Sequence, residues 1–368
     1  MDGEVRMDFI LPDEIHKDKK KIIVSLVSRQ TMPNYIGARI LNPEIMVYLF
    51  TNQEKTAFEY LIRVLSIPYE NHLIDAYDPE GVQKIINDLF QKHASYEILL
   101  NLTGGTKIMA LSAFNIFRKH SKISFYVNTA DNEILWFLTE SIKRTPIGEC
   151  VDIPTYLKLY GQNIYAEDKP KYPKLSEQIG ENYAAYRSLL SEFREINLNK
   201  EHRIKTPLSQ RQRALLTKIG SLGIFRYDLK RHTILVQDTE VLKYLKGDWL
   251  EEYVYGVLKQ SDCADIRFRV RLEWNDRENT WKNEFDVVAI FKNKLYIFEC
   301  KSGKLNQNDI HKLESLRELV GGTYGRGFLI YSTFNEKENI PERLKDFKEI
   351  DVVPITELKK FVRRFYIN

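Results

Sequence analysis

Two acidic residues and a lysine in the last third of the chain have the types and spacing of a hydrolytic metal site. Asp286 lies near the start of one apolar segment, and Glu299 and Lys301 lie near the end of the next. We predict a hairpin with its turn at Asn293–Lys294, in which Asp286 faces Lys301 and all three side chains share one face. A slip of one residue would separate them, so the arrangement depends on the register.

This combination suits phosphodiester hydrolysis. Carboxylates hold Mg²⁺ or Mn²⁺ through oxygen ligands, and a lysine offsets the negative charge that develops on the phosphoryl group. A helix predicted over residues 246–260, with Asp248 as its N-cap, places Glu251 and Glu252 in its first turn, and Glu251 is the third catalytic and metal-ligating candidate. The alternative is a salt-bridge cluster without catalytic function. Cys300 alternates onto the opposite face, which favours a packing role.

The first third of the chain alternates strand and helix patterns. Strands are predicted over residues 20–28, 44–51, 70–78, 95–103 and 122–129, with a sixth possible over 133–139. Helices are predicted over residues 33–41, 54–65, 79–93 and 106–120. Apolar strands that alternate with helices indicate a parallel sheet covered on both faces, so we predict a doubly wound, Rossmann-like α/β domain.

Ligands of such sheets bind beyond the carboxyl ends of the strands. The sharpest feature there is the Thr103-Gly104-Gly105-Thr106-Lys107 turn, whose glycines leave the backbone open and whose following helix start suits an anion. The triphosphate-loop and dinucleotide glycine patterns are absent, and a plain strand-to-helix turn is the alternative. The other candidate ligand-binding residues at these strand ends are Ser28, Arg29, Gln30, Asn34, Thr51 and Asn128.

The middle of the chain is its basic part. The 368 residues contain 55 Lys and Arg against 51 Asp and Glu, a net charge of +4, distributed as −2 over residues 1–150, +4 over 151–240 and +2 over 241–368. We predict a helix over 175–196, a second helix over 209–222 and a short strand or hairpin over 223–236. The second helix and a basic hairpin after it resemble half of a winged-helix unit. A plain connector with a solvated basic face is the alternative.

The composition excludes several classes of protein. The 3 cysteines are far apart without a CxxC pair, which excludes a disulfide scaffold and a structural zinc site. The apolar runs are much shorter than a membrane span of about 20 residues, and the charged N-terminus is unlike a secretory signal. We therefore expect a reduced, cytoplasmic, multidomain protein without a membrane partner.

The nuclease-like residues carry a family resemblance. Asp286, preceded by Phe285 where many members have proline, and Glu299-Cys300-Lys301 resemble the PD-(D/E)xK motif of restriction-endonuclease-like domains, and Glu251 is similar to the glutamate on their first core helix. With the doubly wound domain ahead of it, the chain resembles the CRISPR-associated CARF-domain nucleases over residues 20–139 and 246–366. We assign residues 1–150 to a CARF-like domain, 151–240 to a connector and 241–368 to the nuclease domain.

This resemblance implies a Mn²⁺- or Mg²⁺-dependent endonuclease of DNA, RNA or both, activated by cyclic tetra-adenylate in type III CRISPR antiviral defence. It also implies a homodimer whose two CARF domains form one pocket for a cyclic tetra- or hexa-adenylate. Two alternatives stay open. One is a non-enzymatic nucleotide sensor that binds DNA through Arg211, Arg213 and Lys218. The other is an unregulated repair or restriction nuclease whose first domain binds something else.

Overall fold

The computed structural model of the protein describes residues 9–274, 283–321, 325–333 and 349–367. Its first sheet has seven strands in the order β3-β2-β1-β4-β5-β6-β7. These strands are β1 (Lys21–Leu26), β2 (Ile45–Phe50), β3 (Tyr69–Leu73), β4 (Glu97–Asn101), β5 (Ser124–Asn128), β6 (Glu133–Phe137) and β7 (Ile142–Pro146). The first five are parallel, and β6 and β7 are antiparallel additions. The predicted Rossmann-like domain is confirmed, and β7 is an unpredicted edge strand.

Four helices connect the parallel strands close to their predicted bounds. They are α1 (Met32–Leu41), α2 (Lys55–Leu65), α3 (Pro79–Lys92) and α4 (Lys107–Lys119). Local caps explain the starts of α3 and α4, because Asp78 accepts a hydrogen bond from Gly81 N at 2.9 Å and Thr106 accepts one from Met109 N at 3.2 Å.

The middle segment is more divided than predicted. It contains α5 (Ile153–Lys158), β8 (Gln162–Ala166), α6 (Pro173–Glu181), α7 (Tyr183–Glu195), β9 (Glu201–Arg203), α8 (Gln210–Ser221), β10 (Arg226–Asp228), β11 (Thr233–Leu235) and α9 (Thr239–Lys243). The single helix predicted over 175–196 is wrong, because α6 ends and α7 begins around Asn182. The predicted helix and hairpin are present, and β9 adds a third strand to the hairpin in the order β10-β11-β9.

A second large sheet has six strands in the order β16-β15-β14-β13-β12-β8. Its later strands are β12 (Asp265–Trp274), β13 (Asn283–Phe291), β14 (Lys294–Lys304), β15 (Gly325–Thr333) and β16 (Ile350–Pro354). Helices α10 (Trp249–Lys259), α11 (Gln307–Gly321) and α12 (Leu358–Ile367) accompany it. Strand β8 pairs with β12, so a strand from the middle segment completes the edge of this sheet.

The hydrophobic core joins the parts of the chain. One buried cluster runs from Trp136 in the first sheet through Tyr156 of α5 to Phe285 and Val288 in the second sheet. A second cluster joins α7 and α8 to α10 and the other face of the second sheet. In the part of the chain that the structure describes, no helix is long and apolar enough to cross a membrane.

Candidate active site and ligand site

The β13–β14 hairpin turns one residue earlier than predicted. Its turn is Lys292–Asn293, with φ of 49° and 57°, and Ile290 pairs with Leu295. Two successive left-handed residues form the hairpin turn that matches strand twist, and asparagine tolerates this conformation well. The predicted pairing of Asp286 with Lys301 is therefore wrong. Because the turn moves by one residue, the partner of each residue on the opposite strand changes by two positions. Each side chain therefore keeps its predicted face.

Four charged side chains meet around Glu299, which is buried near the carboxyl end of β14. Its Oε1 atom lies 3.3 Å from Lys301 Nζ and 3.0 Å from Lys312 Nζ. Lys301 Nζ is also 3.4 Å from Asp309 Oδ1. Asp286 joins this group from β13 and accepts a 2.7 Å hydrogen bond from the Cys300 backbone N–H. The structure thus brings the predicted trio together.

Lys312 and Asp309 were not predicted as site residues. They lie three positions apart on α11, the helix that follows the Glu299-Cys300-Lys301 strand. Residues three apart share one face of a helix, so this spacing was a usable signal once the helix was assigned. Cys300 is buried among the apolar residues of the opposite face, as its alternation predicted.

Glu251 is held by an arginine that bridges it to Asp248. Arg269 Nε donates to Glu251 Oε2 at 2.6 Å, and the same guanidinium lies 2.5 Å from Asp248 Oδ2. Arg269 has a φ of 47°, a left-handed conformation that is unfavourable for a side chain of this size. The predicted N-cap role of Asp248 is wrong, because the helix continues from α9 through a π-helical turn, Tyr244–Asp248, into α10.

Glu252 has a different environment from its neighbour. Its carboxylate accepts hydrogen bonds from the backbone N–H groups of Lys171 (2.7 Å) and Tyr172 (3.0 Å), and from Ser176 Oγ (2.9 Å). These contacts use both carboxylate oxygens to hold the start of α6 against α10. Of the two glutamates in the first turn of α10, only Glu251 belongs to the acidic cluster.

The cluster has an excess of buried negative charge. Burial raises the pKa of Asp286 well above its ordinary value, and the charges of Glu299 and Glu251 raise it further. Burial raises the pKa of Glu251 to about 7, against the opposing effect of its arginine partner. Burial alone would lower the pKa of Lys301, but the neighbouring carboxylates raise it above its ordinary value. Lys301 is therefore a permanent cation at neutral pH.

The donor set suits a hard divalent cation. Glu299 Oε2 is buried and has no hydrogen-bond partner, and half-buried Asp286 is a second oxygen donor beside it. A cation held by Asp286 and Glu299 would give the Glu299 oxygen a partner and would offset the negative charge of the two carboxylates. Among the described residues, no three His, Cys, Asp or Glu side chains are already gathered as a metal-binding group. Glu251, the third predicted ligand, is engaged by Arg269.

Glu251→Gln should stabilise the metal-free protein at alkaline pH. The raised pKa means that the folded state holds a proton that the unfolded chain releases, so the free energy of unfolding falls as pH rises from about 4 to about 7. Glutamine removes this titration and should raise the free energy of unfolding at about pH 8 by on the order of 2 kcal/mol.

Urea unfolding of the metal-free protein at several pH values measures this difference. The matched control is Glu252→Gln, which loses charge-assisted hydrogen bonds and should be less stable than the parent. An E251Q variant that is less stable than the parent at about pH 8 contradicts the charge balance described here.

The first sheet brings its predicted ligand loops together. Strands β1 and β4 are neighbours at the point where the strand order reverses, so the loops after them lie at the switch point. A Cβ atom on Gly104 would lie 2.0 Å from the Leu26 carbonyl oxygen, and Gly105 has a φ of +73°. The contact of the turn with the end of β1 therefore requires both glycines. The Thr106 hydroxyl also donates a hydrogen bond to Ala76 O at 3.0 Å.

Several predicted ligand residues also support the loops. Thr103 Oγ1 donates to Asn101 Oδ1 and accepts from Val127 N, each at 2.8 Å. Asn34 is buried and donates to Leu26 O at 3.3 Å, and its Oδ1 has no partner. Asn128 donates to Asp131 Oδ2 at 2.8 Å. These residues shape the strand ends.

The remaining candidates are more accessible. Gln30 Oε1 accepts from Tyr160 Oη at 3.0 Å, and Ser28 Oγ donates to Gln30 O at 3.4 Å. Arg29 and Lys107 are exposed, and Thr51 is half-buried after β2. The switch-point loops therefore carry two exposed cations, Lys107 in the TGGTK turn and Arg29 in the loop after β1.

The turn of the β13–β14 hairpin is held by the first domain. Asn293 is buried, and its Oδ1 accepts from Cys150 N at 2.9 Å. Its Nδ2 donates to Gly148 O at 2.8 Å and to Asn132 Oδ1 at 3.0 Å. Glu149 accepts from the backbone N–H groups of the same turn. The β5–β6 turn, next to Asn128, is thereby linked to the two strands that carry Asp286 and Glu299.

Asn293→Ala should destabilise the chain by about 2–4 kcal/mol, because it leaves buried polar groups of the first domain without partners. The left-handed conformation adds about 1 kcal/mol for alanine. The control Asn293→Gly removes the same hydrogen bonds without the conformational penalty, so it should be less destabilised than N293A. Urea unfolding measures both variants. Parent-like stability of both would show that these interdomain hydrogen bonds contribute little.

Comparison with known families decides which kind of protein has these two sites. Residues 22–156 match the family described as the Card1 CARF domain, and residues 238–366 match the Card1-like endonuclease domain. The chain belongs to the Card1-type CARF-domain nucleases. The predicted family and the predicted order of a CARF domain and an endonuclease domain are confirmed. No curated protein sequence matches the chain.

Three solved structures of similar fold cover nearly the whole length of this chain. The protein VC1899 from Vibrio cholerae has a TM-score of 0.79 at 21% identity, over 94% of this chain and 97% of that one. Can2 from Sulfobacillus thermosulfidooxidans, in complex with cyclic tetra-adenylate, has a TM-score of 0.77 at 23% identity, over 95% and 99%. A type III CRISPR defence DNA nuclease activated by cyclic oligoadenylate has a TM-score of 0.55 at 16% identity, over 89% and 47%.

Proposed function

We propose that this Card1-type nuclease is a divalent-metal-dependent endonuclease that cleaves DNA, RNA or both after its CARF domain binds cyclic tetra-adenylate, in type III CRISPR antiviral defence. The observation that carries the proposal is the cluster of Asp286, buried Glu299 and Lys301, with its unpartnered Glu299 oxygen. The similarity in fold to Can2 with its cyclic tetra-adenylate, and to a CRISPR defence DNA nuclease, supports the activator and the context.

Each residue of the cluster has a distinct role in this proposal. Asp286 and Glu299 would hold Mg²⁺ or Mn²⁺, which when bound would polarise a phosphoryl oxygen and make a water more acidic. Lys301 stays protonated, so it acts by offsetting phosphate charge and not by accepting a proton. Lys312 shares Oε1 of Glu299 with Lys301 and so leaves Oε2 available. Glu251, which is engaged by Arg269, would be the third carboxylate of the site.

The ligand site requires a second copy of the chain in this proposal. Ile108 and Leu111 of α4 are 40% and 60% exposed, and Tyr77 is 79% exposed beside the TGGTK turn. Exposed apolar residues next to a binding loop favour coverage by another protein surface. A two-fold homodimer covers them and doubles the pocket, which suits a ring with two-fold symmetry.

The proposed pocket is formed by the loops at the switch point. Its anion contacts are the backbone of the turn from Thr103 to Lys107, at the N-terminus of α4, and the exposed cations Arg29 and Lys107. The other contact residues are Ser28, Gln30, Asn34, Thr51 and Asn128.

Cleavage assays on supercoiled plasmid and on single-stranded RNA test the enzyme class. With Mn²⁺ and cyclic tetra-adenylate, we expect at least one substrate to be cut, and chelation of the metal should abolish the cut. A chain that binds cyclic tetra-adenylate but cuts neither substrate would support the non-enzymatic sensor. Equal cutting without cyclic tetra-adenylate would support an unregulated nuclease.

A further inference from the structure

A strongly basic unit lies between the two domains and has no part in the chemistry described so far. The basic unit comprises residues 201–238, with β9, α8 and the β10–β11 hairpin, and contains eight Lys and Arg against three Asp and Glu, a net charge of +5. Six of its cations are exposed and make no ion pair with any residue that the structure describes. They are Arg203, Arg211, Arg213, Lys218, Arg226 and Lys230.

A groove runs between α8 and the β10–β11 hairpin within this unit. It has a volume of about 750 Å³ and is lined by Phe225, Tyr227, Leu229 and Leu235, with Arg226 among them. Leu229 is 59% exposed, so apolar surface is open to a partner. Aromatic and apolar surface between exposed cations is the combination that binds a nucleic-acid backbone and its unstacked bases.

The basic unit is attached to the strand ends that carry the candidate active site. Gln212 of α8 donates to Ala185 O (2.9 Å) and Ser188 Oγ (2.8 Å) of α7. From α7, Arg194 donates to the carbonyl oxygen of Ser302, the residue after Lys301. Tyr183, at the other end of α7, donates to Ser332 O of β15 at 2.6 Å. The basic unit is therefore joined through α7 to the end of β14 that follows Lys301 and to the end of β15.

We infer that the basic unit binds the sugar-phosphate backbone of the nucleic acid that the active site cleaves. The inference rests on the proposed function only where it calls this nucleic acid the substrate. Binding itself follows from unpaired exposed charge, the open groove and the attachment of the unit to β14. Duplex and single-stranded nucleic acids share the phosphate backbone, and the groove favours single strands because only their bases are free to enter it.

Binding of labelled nucleic acids to the full chain tests this inference without any cleavage. All proteins carry Glu299→Gln so that the probes stay intact. The probes are single-stranded DNA, single-stranded RNA and duplex DNA of about 20 nucleotides, a length that exceeds the site of one such groove. Fluorescence anisotropy gives Kd between about 50 and 200 mM KCl. The variant is Arg211→Ala/Arg213→Ala/Lys230→Ala, and the matched control replaces three other exposed lysines, Lys84, Lys119 and Lys158, with alanine.

The triple variant should bind at least about tenfold more weakly, and its plot of log Kd against log salt should be shallower by about 2, because three phosphate contacts are lost. The control should match the parent, and circular dichroism checks that each protein is folded. An unchanged Kd and salt slope, or a loss equal to that of the control, overturns the inference. If the protein with Glu299 intact cleaves nothing in a separate assay but the triple variant still loses binding, the proposed nuclease fails and the binding surface stands.

Discussion

Replacing Glu299 with glutamine should reduce the rate of phosphodiester cleavage at least about 100-fold, because the loss of one preorganised charged group in an active site has effects of this size. Glutamine has the same shape, so Lys301 and Lys312 keep an oxygen acceptor, but the negative charge that would hold a divalent cation is gone. The rate is measured on a labelled nucleic acid with saturating Mn²⁺ and cyclic tetra-adenylate.

The matched control for this variant is Glu318→Gln on α11, which removes an exposed carboxylate whose nearest cation, Arg317, is 3.9 Å away. It should cleave at the rate of the parent. Near-ultraviolet and far-ultraviolet circular dichroism should show that both variants fold as the parent does. A folded E299Q protein that cleaves as fast as E318Q would remove Glu299 from the active site.

Replacing Gly104 with alanine should weaken the response to the activator. A Cβ atom at this position would lie 2.0 Å from the Leu26 carbonyl oxygen, so the TGGTK turn must move away from the end of β1. Such overpacking against backbone destabilises a protein by about 1–3 kcal/mol. We expect a lower melting temperature and at least a tenfold weaker affinity for cyclic tetra-adenylate by calorimetry, since about 1.4 kcal/mol corresponds to this factor.

Gly256→Ala provides the comparison for this substitution. Gly256 lies within α10, and a Cβ atom there would have nothing within 4 Å. Alanine in a helix is more favourable than glycine by about 1 kcal/mol, so this variant should be at least as stable as the parent and should bind the activator normally. If G104A melts and binds the activator as G256A does, the switch-point loops are not the ligand site.

The elements of the first domain were predictable because their signals are local. Each parallel strand is a short, nearly continuous apolar run, and helix α3 begins at an Asp-Pro pair that caps it. The positions of the switch-point loops followed from the fold class alone. The trio of Asp286, Glu299 and Lys301 was predictable because a shift of two residues in pairing leaves every side chain on the same face.

The errors arose where distant residues decide the local structure. Asn293 belongs both to the predicted turn and to the observed turn of the β13–β14 hairpin. In the observed turn it contacts Glu149 and Cys150 of the first domain. Asp248 has the sequence of an N-cap, but its ion pair with Arg269 and the preceding π-helical turn give it another role. Strand β8 pairs with β12, more than a hundred residues further along the chain. No local pattern carries such information.

The most direct measurement is the rate of nucleic-acid cleavage by the full chain with Mn²⁺, with and without cyclic tetra-adenylate, in the parent and in Asp286→Asn. We predict cleavage by the parent only when the activator and the metal are both present, and no cleavage by D286N, which should still bind the activator with the affinity of the parent. Cleavage by D286N at the parental rate, or a complete absence of cleavage by a parent that binds both Mn²⁺ and cyclic tetra-adenylate, would contradict a metal-dependent nuclease controlled from the CARF domain.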